Sequence, residues 1–398
     1  MKSFRVRRES ILALIPGVAA LTLVASPALA VPCSELNLPN PIYGAGGSAI
    51  TATLGRVATE LAGLPEPITV LFADPGACIG YQAFLDSNVT TTFKYWDAAG
   101  TQLSCDPEVT GQQVDFAHMG NTADFCPGLT LPEGVKDYVG PIQTLNIITS
   151  VNSSESSISS EALYFAFGFG AESQAAPWTT EAGLVKRNST SFVHLFLADS
   201  IKLSAEKFKG TQVAANQESV NAVVAAAATD PDSTLGYVSG SAADNNRGTV
   251  KTLAYQHTGQ TCGYYPDSNE STLDKINVRQ GLYQLWTPGH FFARVDDAGA
   301  AVNAQVASLI GWFDGSVAPP EGVDVTSIII ASGDIPSCAM QVTREGVTGP
   351  ISSFAPEQPC GCRFEFAATG ATECTACTED AQCGATSPKC RFGYCEAY

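Results

Sequence analysis

The sequence lacks the motifs of the common secreted hydrolases. No G-x-S-x-G motif occurs, and the nearest match, Gly236 to Gly240, places its serine one position too late. Histidine is scarce, with four residues in 398, and none of them has the H-E-x-x-H spacing of a metal site. Carboxylates are plentiful, but no two stand out as a paired acid and base. These absences argue against an enzyme, so we expect no catalytic residue, no metal and no cofactor.

Positive charge is also in short supply. The chain has 21 Lys and Arg against 39 Asp and Glu, a formal net charge of −18. So acidic a surface repels nucleic acid and anionic lipid, and neither is expected as a partner. A small anionic ligand remains compatible with it, because salt screens distant charges within ~8–10 Å and a local site can outweigh them.

Only one apolar run is long enough to suggest insertion into a membrane. It extends from Ile11 to Val24, follows four cations and precedes the small residues Ser-Pro-Ala-Leu-Ala. This order is typical of a signal peptide, so we expect residues 1–30 to be removed after Ala30. Arg7 and Arg8 suggest the twin-arginine route, but the residues after them fit that pattern poorly and the Sec route is favoured. The mature chain is then periplasmic, extracellular or on the cell surface, with no membrane span.

The remaining ~370 residues alternate between strand-like and helix-like segments, which predicts an α/β protein. An aromatic-rich stretch, 262–292, is either a core-filling hairpin, which we favour, or a ligand surface. The other segments are predicted strands at 68–72, 90–95, 114–117, 139–151, 235–239 and 325–331, and predicted helices at 48–62, 76–84, 219–228 and 301–313. Residues 160–169 are either a helix or aromatic core.

A glycine-rich turn precedes the first of these helices. Gly44, Gly46 and Gly47 allow the backbone to turn tightly and to approach a ligand, and Ser48 is a natural N-cap. A helix N-terminus with free N–H groups attracts anions. Glycines that merely allow close packing explain the same pattern, so the turn by itself is weak evidence for a site.

The stretch 184–201 carries the strongest sequence signal for a ligand. A short strand is followed by Arg187, then by Ser189, Thr190 and Ser191, and then by an apolar helix for which Thr190 or Ser191 would be the N-cap. A cation beside hydroxyls at a helix N-terminus is suited to an anion. The alternative is an ordinary capped helix whose arginine faces solvent.

Cysteine is abundant and clustered. Of 13 cysteines, seven lie at or after Cys360, beyond a Pro-rich linker around 350–359. In an exported chain most should form disulfides, with one left over. Too few apolar residues remain in this tail for a core, so we expect disulfides to staple 360–395 as a separate unit. Zinc is the competing hypothesis, because Cys374 and Cys377 have the C-x-x-C spacing of zinc ligands.

Together these features resemble the phosphate-type (PstS-like) periplasmic substrate-binding proteins of ABC importers, over residues ~40–345. In that family a G-A-G-A-T-F turn, a D-F strand followed by S-D, an R-x-x-x-S-G-T helix head and an I-G-Y-V strand frame one oxyanion. Here the turn from Tyr43 to Ala49 resembles the first motif. Arg187 and Ser191 match the third, and the Leu235-Gly-Tyr-Val strand matches the last.

The resemblance implies a two-lobed type II "Venus flytrap" fold with a small anion clamped between the lobes. Residues 31–145 with 248–350 would form one lobe and 146–247 the other, and 351–398 would add the linker and the Cys-rich tail. We expect a monomer whose partner is an ABC permease or a component of the cell surface. The expected ligand-binding residues are Gly47, Ser48, Ala49, Arg187, Ser189, Thr190 and Ser191.

Three departures from the family pattern affect the ligand. Phe192 and Val193 stand where the family has Gly and Thr, and Gly120 stands where it has an Asp, unless Asp124 substitutes for that residue. We therefore expect weak phosphate binding, or none, and a better fit for an organic anion, a peptide carboxylate or a partner's side chain. The alternative function is a secreted or surface recognition protein with a degenerate anion site, which the Cys-rich tail favours.

Overall fold

The computed structural model describes residues 31–396, so the predicted signal peptide lies outside the described residues. Strands alternate with helices along most of this range, in agreement with the predicted α/β class. The strands are β1 (Pro41–Gly46), β2 (Thr69–Ala73), β3 (Phe93–Trp96), β4 (Gln102–Cys105), β5 (Phe116–Met119), β6 (Val135–Ser150), β7 (Ser157–Ser159), β8 (Val185–Arg187), β9 (Thr211–Val213), β10 (Gly236–Ser239), β11 (Val250–Thr252), β12 (Ala254–Gln256), β13 (Trp286–Arg294), β14 (Val342–Arg344), β15 (Ile351–Ser353), β16 (Lys389–Arg391) and β17 (Tyr394–Glu396).

Ten helices cover the strands within the described residues. None of them is both long and apolar enough to cross a membrane. The helices are α1 (Thr51–Ala62), α2 (Ala77–Leu85), α3 (Ser160–Phe169), α4 (Phe192–Ser200), α5 (Asn216–Ala226), α6 (Gly240–Asn245), α7 (Ile276–Arg279), α8 (Ala304–Asp314), α9 (Val325–Ala331) and α10 (Gly361–Thr369).

One long strand, β6, organises the main sheet, whose order is β10-β6-β13-β5-β1-β2-β3-β4. Its first part, Val135 to Thr144, pairs antiparallel with β13. Its last part, Leu145 to Ser150, pairs with β10 and β11 instead. The strand thus passes from one α/β region into a second. This arrangement is a mixed α/β, two-lobed fold, and the predicted fold class is confirmed.

Two predicted elements were wrong. Residues 325–331 form helix α9 rather than a strand, because the Asp324 carboxylate caps the helix by accepting from the Ser327 N–H at 2.9 Å. A short apolar run fits a strand or a buried helix equally well, and here the cap decides. The stretch 262–292 forms α7 and the start of β13 rather than a hairpin. Its large rings, including Tyr283 and Trp286, are nevertheless buried in the core.

Six disulfides use twelve of the thirteen cysteines, a density typical of exported proteins. Both cysteines of the predicted C-x-x-C zinc pair are in disulfides, with Cys362 and Cys390 respectively. The six pairs are Cys33–Cys105, Cys78–Cys126, Cys338–Cys360, Cys362–Cys374, Cys377–Cys390 and Cys383–Cys395.

The tail is not a separate unit, contrary to the sequence prediction. The seven tail cysteines cannot all pair with one another, and Cys360 bonds Cys338 in the body of the protein. Buried Arg279 of α7 forms a 3.3 Å ion pair with Glu365 of α10. The predicted linker also contains β15, which pairs with β14. The tail is therefore bound covalently and by packing to the main domain.

Cys262 is the exposed cysteine that stays free. We expect a thiol reagent to label the native protein at one position per chain, because Cys262 is the only cysteine outside a disulfide among the described residues. Peptide mass spectrometry after labelling without reductant should place the label on Cys262, and the Cys262→Ser variant should take up none. Labelling at two or more sites would show that the pairing is different.

Candidate functional site

Three helix N-termini meet around a small cavity of about 40 Å³. They belong to α1, α2 and α4, each of which follows a strand. Because β1 runs parallel to β2 and to β5, the carboxyl ends of these strands lie at one edge of the sheet and deliver their loops to the same place. The cavity is lined by Gly47, Ser48, Ala49, Asp74, Pro75, Gly76, Ala77, His118, Gly120, Arg187, Asn188, Ser191, Phe192, Val193, Ala214 and Asn216.

The glycine turn before α1 is required by the close approach of β5. A Cβ atom on Gly46 would lie 1.9 Å from the carbonyl oxygen of His118, so no larger residue fits. The next residue, Gly47, donates its N–H to the same oxygen at 3.0 Å. These contacts fix the turn, whose residues Gly47, Ser48 and Ala49 line the cavity just before α1 begins.

The ends of these helices give the cavity positive character. α1 has 12 residues, α2 has nine and α4 has nine, so each carries the partial positive charge of a helix N-terminus. Ala77, Phe192 and Val193, the first residues of α2 and α4, line the cavity directly. Backbone N–H groups at such ends bind anions in many proteins. Three of them around one cavity are chemically suited to an oxyanion or a carboxylate.

Arg187 adds a full charge to the same cavity. Its side chain is buried, with 4% of its surface exposed, and burial lowers the pKa of the guanidinium to about 10, so it stays charged at neutral pH. Nη1 donates to Asn216 Oδ1 at 2.5 Å and Nη2 to the Ala214 carbonyl at 2.7 Å. The Nε atom is buried without a partner. No carboxylate of residues 31–396 forms an ion pair with this guanidinium.

A hydrogen-bonded chain holds the backbone of Arg187. Its N–H donates to Tyr237 Oη at 3.1 Å, and that hydroxyl lies 2.5 Å from His194 Nδ1. The other ring nitrogen of His194 lies 2.9 Å from the Ala205 carbonyl. Burial lowers the pKa of His194, so its ring is neutral and donates from Nε2 while Nδ1 accepts the Tyr237 proton. The strand carrying the arginine is thereby fixed against α4.

Two further polar side chains line the cavity. His118 is buried, and both its ring nitrogens lack a partner. Burial, aided by nearby His290, lowers the pKa of His118 to about 3, so its ring is neutral. Asp74 follows β2 and accepts from Lys94 Nζ at 2.7 Å and from Thr51 Oγ1 at 3.1 Å, both through Oδ2. The cavity therefore offers both a neutral imidazole and a carboxylate.

Phe192 occupies the space that a side chain at position 120 would need. A Cβ atom on Gly120 would lie 2.4 Å from Cε1 of the Phe192 ring. The Phe192 ring therefore leaves no room for a side chain at position 120, so the two positions are sterically coupled. Asp124, considered as a substitute for that carboxylate, is exposed and does not line the cavity.

We expect Gly120→Ala to lower the free energy of unfolding by ~1–3 kcal/mol, because the added methyl group overpacks against the Phe192 ring. The Gly120→Ala/Phe192→Ala double variant should lose less stability than the sum of the two single variants, since the smaller residue at 192 opens the space that the added methyl group needs. Urea unfolding of the two single variants and the double variant measures the coupling. Strictly additive effects would mean that the two positions are independent.

The structure brings together most of the predicted site residues. Gly47, Ser48, Ala49, Arg187 and Ser191 all line the cavity, and Arg187 is buried rather than facing solvent. Two corrections concern the hydroxyl run, because Ser189 and Thr190 do not line the cavity, whereas Asn188 does. Ser189 and Thr190 are the central residues of a turn, closed by the Ser191 N–H donating to the Asn188 carbonyl at 3.1 Å, and this turn carries them away from the cavity. Ser48 does not cap α1, which begins at Thr51 with Ile50 in the N-cap position.

Sequence reasoning missed several lining residues, notably Asp74, Gly76, His118 and Asn216. The segment Asp-Pro-Gly between β2 and α2 repeats the strand–turn–helix order of the glycine turn, and this signal could have identified Asp74 and Gly76. His118 and Asn216 had no such signal. Both enter the site only because β5 and the start of α5 pack beside it.

Comparisons with known proteins find only remote structural similarity. No protein-family profile matches the chain, and no curated protein matches it. Among solved structures, a putative phosphate ABC transporter substrate-binding protein from Clostridium perfringens with bound phosphate is 12% identical. The match covers 75% of this chain and 99% of that one, with a TM-score of 0.49.

Two other solved structures match similarly. An ABC-type phosphate transport receptor from Vibrio cholerae is 14% identical over 74% of this chain and 99% of that one, with a TM-score of 0.47. A possible phosphate-binding protein from Planctomyces limnophilus is 13% identical over 75% and 93%, with a TM-score of 0.43. Structural similarity this low does not identify the ligand.

Proposed function

We propose that this protein is an exported solute-binding protein that holds a small oxyanion or an organic anion between its two lobes. The observation that carries this proposal is the position of Arg187, a buried cation without an acidic partner that lines a cavity ringed by three helix N-termini. The guanidinium and the three helix N-termini all favour a negative charge in this cavity.

The energetics of burial support this assignment. Removing a charged group from water costs several kcal/mol unless an opposite charge or hydrogen bonds compensate it. Asn216 and Ala214 satisfy two nitrogens of Arg187, and the third, Nε, stays unpaired. An anion in the cavity would supply both an acceptor and the missing negative charge.

The lobes that close on the ligand follow from the pairing along β6. We propose that residues 31–145 form one lobe together with the later segment that contains β13, and that residues from 146 onward form the other. The return to the first lobe would come after Gln256 rather than at 248, because β11 pairs with the end of β6 and β12 pairs with β7. Ligand contacts to both lobes would stabilise the closed state.

Binding rather than catalysis is the activity we infer. Transport would require an ABC permease that receives the closed protein. The alternative is a secreted or surface recognition protein, favoured by the disulfide-bonded tail, which packs against α7 through Arg279 and has no part in lining the cavity. Genes for a permease and an ATPase adjacent to the gene for this protein would support transport.

A thermal-shift screen of the mature protein tests the proposal. Phosphate, sulfate, arsenate and small carboxylates are the probes, with glucose and sodium chloride as controls. A ligand that binds the native state alone stabilises it by RT ln(1 + [L]/Kd), ~2.7 kcal/mol at 100 times Kd. We expect at least one anion to raise Tm in a saturable way. No shift with any anion, at neutral pH and low salt, would favour the recognition protein.

A further inference from the structure

The anion cavity lies next to a much larger cleft of about 1020 Å³. Ser48, Asp74 and Asn216 line both, so the two spaces adjoin each other at these three residues. The cavity itself, at about 40 Å³, has room for a single small group such as one oxyanion. Anything larger that enters the cavity must extend into the cleft.

The large cleft is open although the two proposed lobes are already in contact. Phe192 of α4 already lies against Gly120 after β5, and Thr190 lies against Gly76 before α2. These contacts join the two proposed lobes beside the anion cavity. The lobes are in contact beside the anion cavity and the cleft is still open. The cleft is therefore a separate open space next to a closed anion cavity.

Neutral hydrogen-bonding groups dominate one wall of this cleft. Every side chain contributed by α5, α6 and the residues next to them is uncharged: Ala215, Asn216, Gln217, Ser239, Ser241, Ala242, Asn245 and Asn246.

The opposite wall carries charges that are mostly paired. Asp74 is paired with Lys94 at 2.7 Å and Asp324 with Arg363 at 2.5 Å, which leaves Arg56 and Glu60 as the other charged lining residues. Amides and hydroxyls facing a wall of little net charge are suited to hydroxyl groups. They would not discriminate in favour of a second charge or a large apolar body.

We propose that the ligand is a phosphate monoester of a sugar or polyol, with its phosphate in the anion cavity and its hydroxylated body in the cleft. This inference rests on the proposed anion-binding function. The ester retains the charges that Arg187 and the helix N-termini bind. Its hydroxyl groups gain hydrogen bonds to the wall formed by α5 and α6, which inorganic phosphate cannot reach.

Titration calorimetry of the mature protein with glucose 6-phosphate, glycerol 3-phosphate, inorganic phosphate and glucose tests the proposal. Two or three additional hydrogen bonds should make at least one ester bind ~10-fold or more tightly than inorganic phosphate. Glucose alone should not bind detectably. If inorganic phosphate binds as tightly as both esters, the monoester proposal is overturned and the anion-binding function stands. If neither ester binds while another anion raises Tm in the thermal-shift screen, only the monoester proposal is overturned, and if no anion acts in either experiment, both proposals are overturned.

A variant that fills the cleft tests where the body of the ligand lies. Asn245, the exposed last residue of α6, lines the cleft but not the anion cavity. Asn245→Trp should reduce the affinity for the ester to that for inorganic phosphate and leave the phosphate affinity unchanged. Thr229→Trp, at an exposed position outside the cleft, is the matched control. Equal ester affinity in both variants would overturn the placement of the body.

Discussion

Replacing Arg187 by alanine should weaken binding of the tightest anion from the thermal-shift screen at least ~100-fold. A hydrogen bond to a charged group is worth roughly 1.5–3 kcal/mol, and the lost charge acts in a buried site where screening is weak. Two such contacts correspond to a factor of ~10² to ~10⁴. Calorimetry at fixed salt measures the change. The anion affinity of Arg187→Lys should lie between those of the wild type and Arg187→Ala, because lysine keeps the charge but lacks the planar set of donors.

Arg344 supplies a matched control for this experiment. It is half-buried, burial also lowers its pKa to about 10, and it also donates to backbone carbonyls, those of Trp286 and Gln284. It differs in stacking over the Trp286 ring, 4.5 Å from the centroid, and in lying away from the anion cavity. Arg344→Ala should therefore lower stability but leave anion affinity unchanged. Equal affinity losses in both variants would indicate a general loss of structure.

The affinity for inorganic phosphate tests a further prediction from the sequence. The sequence predicts weak phosphate binding because Gly120, Phe192 and Val193 depart from the family pattern, and this stays a prediction. Asp74 introduces a carboxylate that the sequence comparison did not anticipate. Submicromolar phosphate binding that disappears in Arg187→Ala would show that Asp74 and the helix N-termini compensate for the departures.

Stability should fall as the pH rises through neutrality, because of Asp334. This carboxyl is fully buried, accepts from Thr53 Oγ1 at 2.5 Å and lies near Asp244 and Lys275. Burial, as the largest cause, raises its pKa from 3.8 to about 7. Between these two values the native state holds a proton that the unfolded state has released. The stabilisation is thus complete below the unfolded pKa and is lost as the pH rises through 7.

Asp334→Asn should remove this pH dependence. A difference of ~3 pKa units corresponds to on the order of 4 kcal/mol, so the wild type should lose up to that amount between pH 4 and pH 8 while the variant loses less. Urea unfolding at several pH values measures both slopes. Asp297→Asn, at an exposed position, is the control and should keep the wild-type slope. An unchanged slope in Asp334→Asn would contradict the assignment.

The sequence alone determined the local parts of this protein. Residues 160–169 were predicted as a helix or as aromatic core, and they form helix α3, Ser160–Phe169, which Ser159 caps by accepting from the Ala162 N–H at 3.1 Å. The turn at Gly47 and the order of strand, Arg187 and helix were also visible in the sequence. Caps, turn glycines and apolar periodicity act within a few residues of chain, so they can be recognised without knowledge of the fold.

Only the tertiary structure decided how these parts combine. It paired Cys360 with Cys338, placed Asp74, His118 and Asn216 beside the arginine, and filled the space above Gly120 with Phe192. Each of these contacts joins residues far apart in the chain. Their distance depends on how sheet and helices pack, and the identity of either partner alone does not encode it. The same packing left Arg187 buried without a carboxylate, which is the physical reason to expect an anion in the cavity.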